Sequence, residues 1–168
     1  MLNLDGYKYI RMVFKMAIKL TQVEANMLID MLKKAVKETM LQFPAAKGRL
    51  YFDVMGERKT DEFTVNIDRK GINDQGCTYQ GRIKSNNIIL LRLDVNPTAV
   101  HENPSNGEKI SGTHLHIYTE EYEMREAIPF DVDGKDLYDI CHTFFERFNI
   151  VEPPQINDQK RIFTEGCE

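Results

Sequence analysis

Three of the four histidines in this chain, His101, His114 and His116, fall within sixteen positions. If residues 114–119 form a strand, His114, His116 and Tyr118 project from one face and Leu115 and Ile117 from the other. The apolar pair must meet the core, which leaves two imidazoles and a phenol on the open side. Arg92 and Asp94 likewise share one face of the preceding apolar run. Consecutive strands are commonly neighbours, so a single polar patch would collect Arg92, Asp94, His114, His116 and Tyr118. His101, on the connection between the strands, would hang over it.

Three chemistries fit these residue types. In the first, two imidazoles act as general base and general acid on a phosphodiester, because imidazole titrates near neutrality. Arg92 would steady the phosphorane charge with its fork of donors, and Tyr118 would stack on a base or give a proton. RNA carries its own nucleophile, the 2′-hydroxyl, so this chemistry needs no cofactor. In the second, His101, His114 and His116 hold a divalent metal, with Asp94 as an oxygen ligand. In the third, the histidines hydrogen-bond the Pro/Asn/Gly-rich connection and hold it to the sheet. The spacing alone leaves all three open.

The surrounding pattern predicts what positions this patch. Thr21 and Glu24 read as a capping box. Val23, Met27, Leu28, Met31, Leu32, Ala35 and Val36 follow at helical spacing, with Lys33, Lys34 and Lys37 outside, giving a helix over residues 22–42 that Pro44 limits. From Gly48 the period becomes two. Leu50, Phe52 and Val54 alternate with Tyr51 and Asp53; Phe63, Val65 and Ile67 with Thr64, Asn66 and Asp68; Cys77, Tyr79 and Ile83 with Thr78, Gln80 and Arg82. Asn86-Asn87 reads as a hairpin turn. Residues 88–95 read as a central strand, 96–112 as a loop, 114–119 as a fifth strand and 127–130 as a short sixth. Asp133 is expected to cap a last helix whose stripe is Leu137, Ile140, Cys141, Phe144, Phe145 and Phe148, closed by Asn149 and Pro153-Pro154. His142 falls off that stripe and reads as a surface residue. The expected fold is α+β in two layers: about five antiparallel strands, with an N-terminal and a C-terminal helix packed on one face.

Composition narrows the class. The 168 residues, 42% hydrophobic and 29% charged, are ordinary for one globular domain. The net charge of −4 hides a division. Through Arg92 there are 16 basic and 10 acidic side chains; beyond it there are 6 basic and 16 acidic. The total excludes a uniformly cationic nucleic-acid coat. The basic first half, with Arg49, Arg58, Lys59, Arg69, Lys70, Arg82 and Lys84, reads either as a phosphate-contacting surface or as charged hairpin edges. Three cysteines, Cys77, Cys141 and Cys167, without a C-x-x-C pair argue against a disulfide scaffold or a cysteine zinc site, and for a reducing cytoplasm. There is no apolar run of about 18 residues to span a membrane. P-loop, dinucleotide-binding, G-x-S-x-G and H-E-x-x-H motifs are absent, so those enzyme classes have no support. Residues 1–19 read as an extension, either dispensable behind a start at Met12 or Met16 or docking through Tyr7, Tyr9, Ile10, Val13 and Phe14. Residues 20–156 form the domain, and 157–168 a polar tail.

The segment Leu91-Arg92-Leu93-Asp94-Val95, His101-Glu102-Asn103-Pro104 and Gly112-Thr113-His114-Leu115-His116-Ile117-Tyr118 resembles a family of small bacterial proteins of unsettled activity, often carried by prophages and other mobile elements. The resemblance runs from about Leu20 to Ile156. The His-rich strand is also similar to that of TumE-type toxins of toxin–antitoxin modules, suspected RNases of compact helix-plus-sheet fold. It implies a toxin-like endoribonuclease with His114, His116, His101, Arg92, Tyr118 and Asp94 in its site, an RNA substrate and an antitoxin or other protein partner. The acidic run Glu120-Glu121-Tyr122-Glu123 departs from the family pattern and would repel RNA. The competing expectation is therefore a non-catalytic phage-type binding protein that imitates nucleic acid. Clustering of Glu120, Glu121, Glu123, Glu126, Asp131 and Asp133 on one surface would favour mimicry; convergence of Arg92, His114, His116 and Tyr118 would favour catalysis.

Overall fold

The alternation of apolar and polar residues between Arg49 and Val95 folds into a meander of four long antiparallel strands. These are β3 (Arg49–Met55), β4 (Glu62–Asp68), β5 (Cys77–Ile83) and β6 (Ile89–Val95), following α1 (Gln22–Asp30), β1 (Lys33–Ala35) and β2 (Leu41–Gln42). This computed structural model describes residues 19–37, 39–70 and 76–159. The N-terminal extension up to residue 18, the end of the tail and Cys167 lie outside the described residues. After β6 come a small hairpin, β7 (Val100–Glu102) and β8 (Lys109–Ser111), then β9 (His114–Ile117), β10 (Ile128–Pro129), α2 (Leu137–Arg147), β11 (Ile150–Glu152) and β12 (Ile156–Asn157).

The main sheet has eight strands in the order β10-β9-β6-β5-β4-β3-β1-β11, against the five expected. The extra strands are short and lack a period-two pattern of their own. All neighbours are antiparallel except β1 and β11, which run parallel. Partner residues place Leu50, Phe52, Val54, Phe63, Val65, Ile67, Tyr79, Leu91, Leu93 and Leu115 on one face. Both helices cover that face and share its core. Each fully buried Phe or Leu there contributes roughly 1.5–3 kcal/mol. The opposite face is polar and no described helix covers it.

The first helix is shorter than the spacing predicted. The Thr21–Glu24 capping box forms, but α1 ends at Asp30. Val23 and Met27, expected in its core stripe, are 69% and 64% exposed, and Ala25 and Ile29 are buried instead. Lys33 explains the stop. Its Nζ donates to the carbonyls of Ile29 and Met31 at 2.8 Å and of Phe148 at 2.9 Å. One ammonium thus satisfies orphan carbonyls at the C-terminal ends of both helices, and the chain leaves as β1. The Lys33 side chain, expected on the outer surface, is buried, with Nζ 4.2 Å from the Phe148 ring centroid and 5.1 Å from that of Phe63.

The last helix follows its stripe: Leu137, Ile140, Cys141, Phe144 and Phe145 are buried. Its N-cap is Asp136, which accepts from the Asp139 N–H, and not Asp133 three residues earlier. Asn149, at φ 57°, ends it. Cys77 and Cys141 are free, buried thiols, and burial pushes Cys77 up to about 12 and Cys141 well above the usual thiol value. Both act as small apolar side chains. His142 is half-buried, its ring between Tyr138 and Phe145. Among the described residues no helix is long and apolar enough to cross a membrane. Residue Asn157, assigned to the tail, pairs with Gln42.

Candidate active site

Register brings the two polar pairs together. β6 and β9 pair so that Arg92 faces His116 and Asp94 faces His114. The connection between them is not a plain loop, because β7 and β8 form a hairpin that carries His101 back over β9. Asn103 fastens this hairpin: its amide donates to the Ala127 carbonyl at 2.9 Å and accepts from the Ala127 N–H at 2.8 Å. The three imidazoles then lie ring to ring, with centroids 5.4 Å apart for His101 and His114, 4.8 Å for His101 and His116, and 5.0 Å for His114 and His116.

Each imidazole spends one nitrogen on a backbone carbonyl. His114 Nδ1 is 2.8 Å from the Gly112 oxygen, His116 Nδ1 is 3.0 Å from that of Glu126, and His101 Nε2 is 2.9 Å from that of Arg125. A carbonyl only accepts, so the hydrogen sits on each of these nitrogens, which fixes the tautomers. The remaining nitrogens are His101 Nδ1, His114 Nε2 and His116 Nε2. His116 Nε2 accepts from Arg92 Nη2 at 2.9 Å, so both His116 nitrogens are committed, and the residue is fully buried. Among the described residues His114 Nε2 makes no hydrogen bond; Asp94 Oδ2 lies 3.9 Å away, too long for one.

Asp94 and Arg92 tie the group to the open face. Arg92 Nε donates to Asp94 Oδ2 at 2.9 Å, and the Thr78 hydroxyl donates to Asp94 Oδ1 at 2.7 Å. Burial alone would raise the Asp94 carboxyl. The Thr78 hydroxyl and the Arg92 charge outweigh it and hold the carboxyl well below the usual carboxylate range. For His114 burial wins over the Gly112 hydrogen bond, and the imidazole is lowered from its ordinary value. His114 therefore presents an unprotonated Nε2 at neutral pH. The side chains of Arg92 and Asp94 are 30% and 22% exposed and form the route from solvent.

Five of the six expected site residues thus converge: Arg92, Asp94, His101, His114 and His116. Tyr118 does not join them. Its hydroxyl accepts from the Leu20 N–H at 3.1 Å and donates to the Leu20 carbonyl at 3.3 Å, anchoring the entry to α1 in the core. The strand ends at Ile117, so the alternation that would have aligned Tyr118 with the histidines stops one residue short. Three acidic side chains that follow the His strand are tied to other segments of the chain. Glu120 accepts from the Gln22 N–H, Glu123 pairs with Lys19, and Glu126 accepts from the Ser105 N–H and hydroxyl. Two contributors escaped the sequence reading. Asn103 lies in the His-x-Asn-Pro segment but has no partner nearby in sequence, and the polar positions of β3–β5 give no sign there that they share a concavity with Arg92 and Asp94.

Fold and site define an α+β protein with a histidine cluster set between an arginine–aspartate pair and the open face of an antiparallel sheet. Residues 20–150 match a family of unknown function, DUF6978, and the chain belongs to that family. No curated protein and no solved structure matches the chain.

Proposed function

We propose that the chain is an endoribonuclease of the toxin type, cleaving RNA by metal-independent acid–base chemistry at the histidine cluster. The observation that carries this reading is the uncommitted His114 Nε2, 3.9 Å from the Asp94 carboxylate that Arg92 holds. His114 takes the proton of a 2′-hydroxyl, O2′ attacks phosphorus, and the P–O5′ bond breaks. The imidazolium form of His101, carrying a proton taken from solvent on the uncommitted Nδ1, gives that proton to the departing oxygen and returns to the neutral tautomer. Arg92 neutralises the phosphorane through Nη1, which makes no hydrogen bond among the described residues. Asp94 and His116 position Arg92 and the cluster. An antitoxin partner belongs to the same proposal.

One observation favours a second reading. Histidine ligands of metals characteristically give their outer N–H to a carbonyl, as all three do here, and ring nitrogens of His101, His114 and His116 lie within 4.8 Å of one another. A divalent ion would draw these nitrogens closer and displace the Arg92 Nη2 from His116. The test expresses the wild type beside His114→Ala and the His114→Ala/His116→Ala pair, and follows growth, RNA integrity and metal content. RNA loss and growth arrest with wild type alone, unaffected by chelator, are expected. Harmless wild-type protein that leaves RNA intact overturns the ribonuclease reading, and stoichiometric metal with chelator-sensitive cleavage replaces it with the metal one.

A further inference from the structure

The polar face next to Arg92 is built as a row. Cross-strand partners run His116–Arg92–Gln80–Asn66–Tyr51 over β9, β6, β5, β4 and β3. At about 4.8 Å per strand, Arg92 and Tyr51 are roughly 14 Å apart, the scale of a nucleotide with its neighbouring phosphate. A concavity of about 290 Å³ lies along this row, lined by Tyr51, Asn66, Lys70, Gln80, Arg92 and Asp94, among others. Its acids are already engaged: Asp94 holds Arg92, and Asp68 pairs with Arg49 at 3.2 Å.

Two features of the concavity ask for a ligand of a particular kind. Asn66 Oδ1 is a buried acceptor with no hydrogen-bond partner among the described residues, and an orphaned buried acceptor is costly unless a donor arrives. Tyr51 is a large aromatic side chain left 51% exposed at the end of the row. An unpartnered amide, a second amide one strand away and an exposed ring are the groups that read an unstacked base, with hydrogen bonds to its edge and stacking on its face. Arg92 and the exposed Lys70 supply the positive charge that a phosphate needs.

We propose that this concavity is a nucleobase subsite for single-stranded RNA, with Asn66 and Gln80 reading the base edge, Tyr51 stacking on its face, and the adjoining phosphate held at Arg92. This rests on the ribonuclease reading and gives it a substrate: an unpaired nucleotide, chosen by its base. Because the orphaned atom of Asn66 is an acceptor, a base with an exocyclic amino group satisfies it once the side chain turns that buried oxygen toward the concavity.

The test titrates the full chain with AMP, GMP, CMP, UMP and ribose 5-phosphate. Affinity and the side-chain amide signals of Asn66 and Gln80 are followed by NMR, with circular dichroism confirming the fold of each variant. At least one amino-bearing nucleotide is expected to bind about tenfold more tightly than ribose 5-phosphate and UMP, and to shift both amide signals. Asn66→Ala should abolish that preference while phosphate binding persists. Tyr51→Ala should weaken every nucleotide about tenfold, in line with the loss of one stacked base, and leave ribose 5-phosphate unchanged. Equal binding of all five ligands, no binding of any, a preference for UMP, or a preference that survives Asn66→Ala overturns the subsite. RNA cleavage by the wild type is scored separately. Base-selective binding without cleavage keeps the subsite and removes the nuclease, whereas cleavage without base selectivity does the reverse.

Discussion

Lys33 and the histidine cluster occupy penultimate strands at opposite ends of the same sheet, on opposite faces. Both are polar groups buried among rings, and both are fastened by backbone carbonyls. At Lys33 the ammonium gives its hydrogens to three carbonyls, two aromatic rings close over it, and no capacity is left over. Around β9 and the β7–β8 hairpin each imidazole gives up one nitrogen to a carbonyl, and His101 and His114 make no second hydrogen bond among the described residues, close to the Asp94–Arg92 pair that lines a concavity open to solvent. Burial and polarity are common to both, so neither marks a reactive site. The difference lies in the donors and acceptors left after the fold has been satisfied: none remain at Lys33, and several remain at the histidines.

Substitutions at the two places should therefore fail in different ways. The largest effect is expected at Arg92. Arg92→Met should act mainly on the rate, lowering RNA cleavage by about 10²–10³-fold, the usual loss of a charge-stabilising donor, with a smaller stability cost of about 1–2 kcal/mol because His116 Nε2 and Asp94 lose their donor. Initial rates and denaturation curves on the same preparation check this. Lys33→Met should do the opposite, leaving three buried carbonyls unpaired at a cost of about 3 kcal/mol or more, with the rate of the folded fraction little changed.

The pH dependence sharpens the contrast. Burial pushes the Lys33 ammonium down to about 7 from 10.5. Between those values the unfolded chain binds a proton that the folded chain has released, so wild-type stability should rise with pH across this window. It should be lowest below about pH 7, where both states are protonated. The slope should vanish in Lys33→Met, as stability curves at pH 6 and pH 9 would show. For His114 the lowered imidazole means that the acid limb of the cleavage profile falls below the ordinary histidine range.

Smaller effects follow at the supports. A Cβ at Gly81 would stand 2.5 Å from the Phe148 ring, so Gly81→Ala should cost about 1–3 kcal/mol by overpacking. It should disturb the Lys33 end and spare the histidines, as separate melting and cleavage measurements would reveal. Asn103→Ala removes the two bonds that fasten the hairpin to Ala127. It should cost about 2 kcal/mol and slow cleavage roughly tenfold by loosening His101, leaving the Lys33 end intact.

The sequence showed these two regions unequally. The period-two alternation from Leu50 to Val95 and the histidine spacing were enough to place Arg92, Asp94, His114 and His116 on one polar face, because strand geometry fixes side-chain direction. Lys33 was illegible because the apolar spacing after Val23 matches a long helix. What ends α1 is a tertiary partner, the Phe148 carbonyl, 115 residues away. Tyr118 was misdirected for a similar reason: its backbone partner, Leu20, lies 98 residues before it. Short strands such as β1, held between β3 and β11, owe their existence to distant partners and carry no pattern of their own.

The most direct test of the central claim is the chemistry of the RNA ends left by wild-type protein and by His114→Ala in the presence of chelator. Attack by the 2′-hydroxyl, with His114 as base, predicts 2′,3′-cyclic phosphate ends from the wild type and uncut RNA from the variant. Uncut RNA with both proteins, or ends bearing a free 3′-hydroxyl, would contradict it.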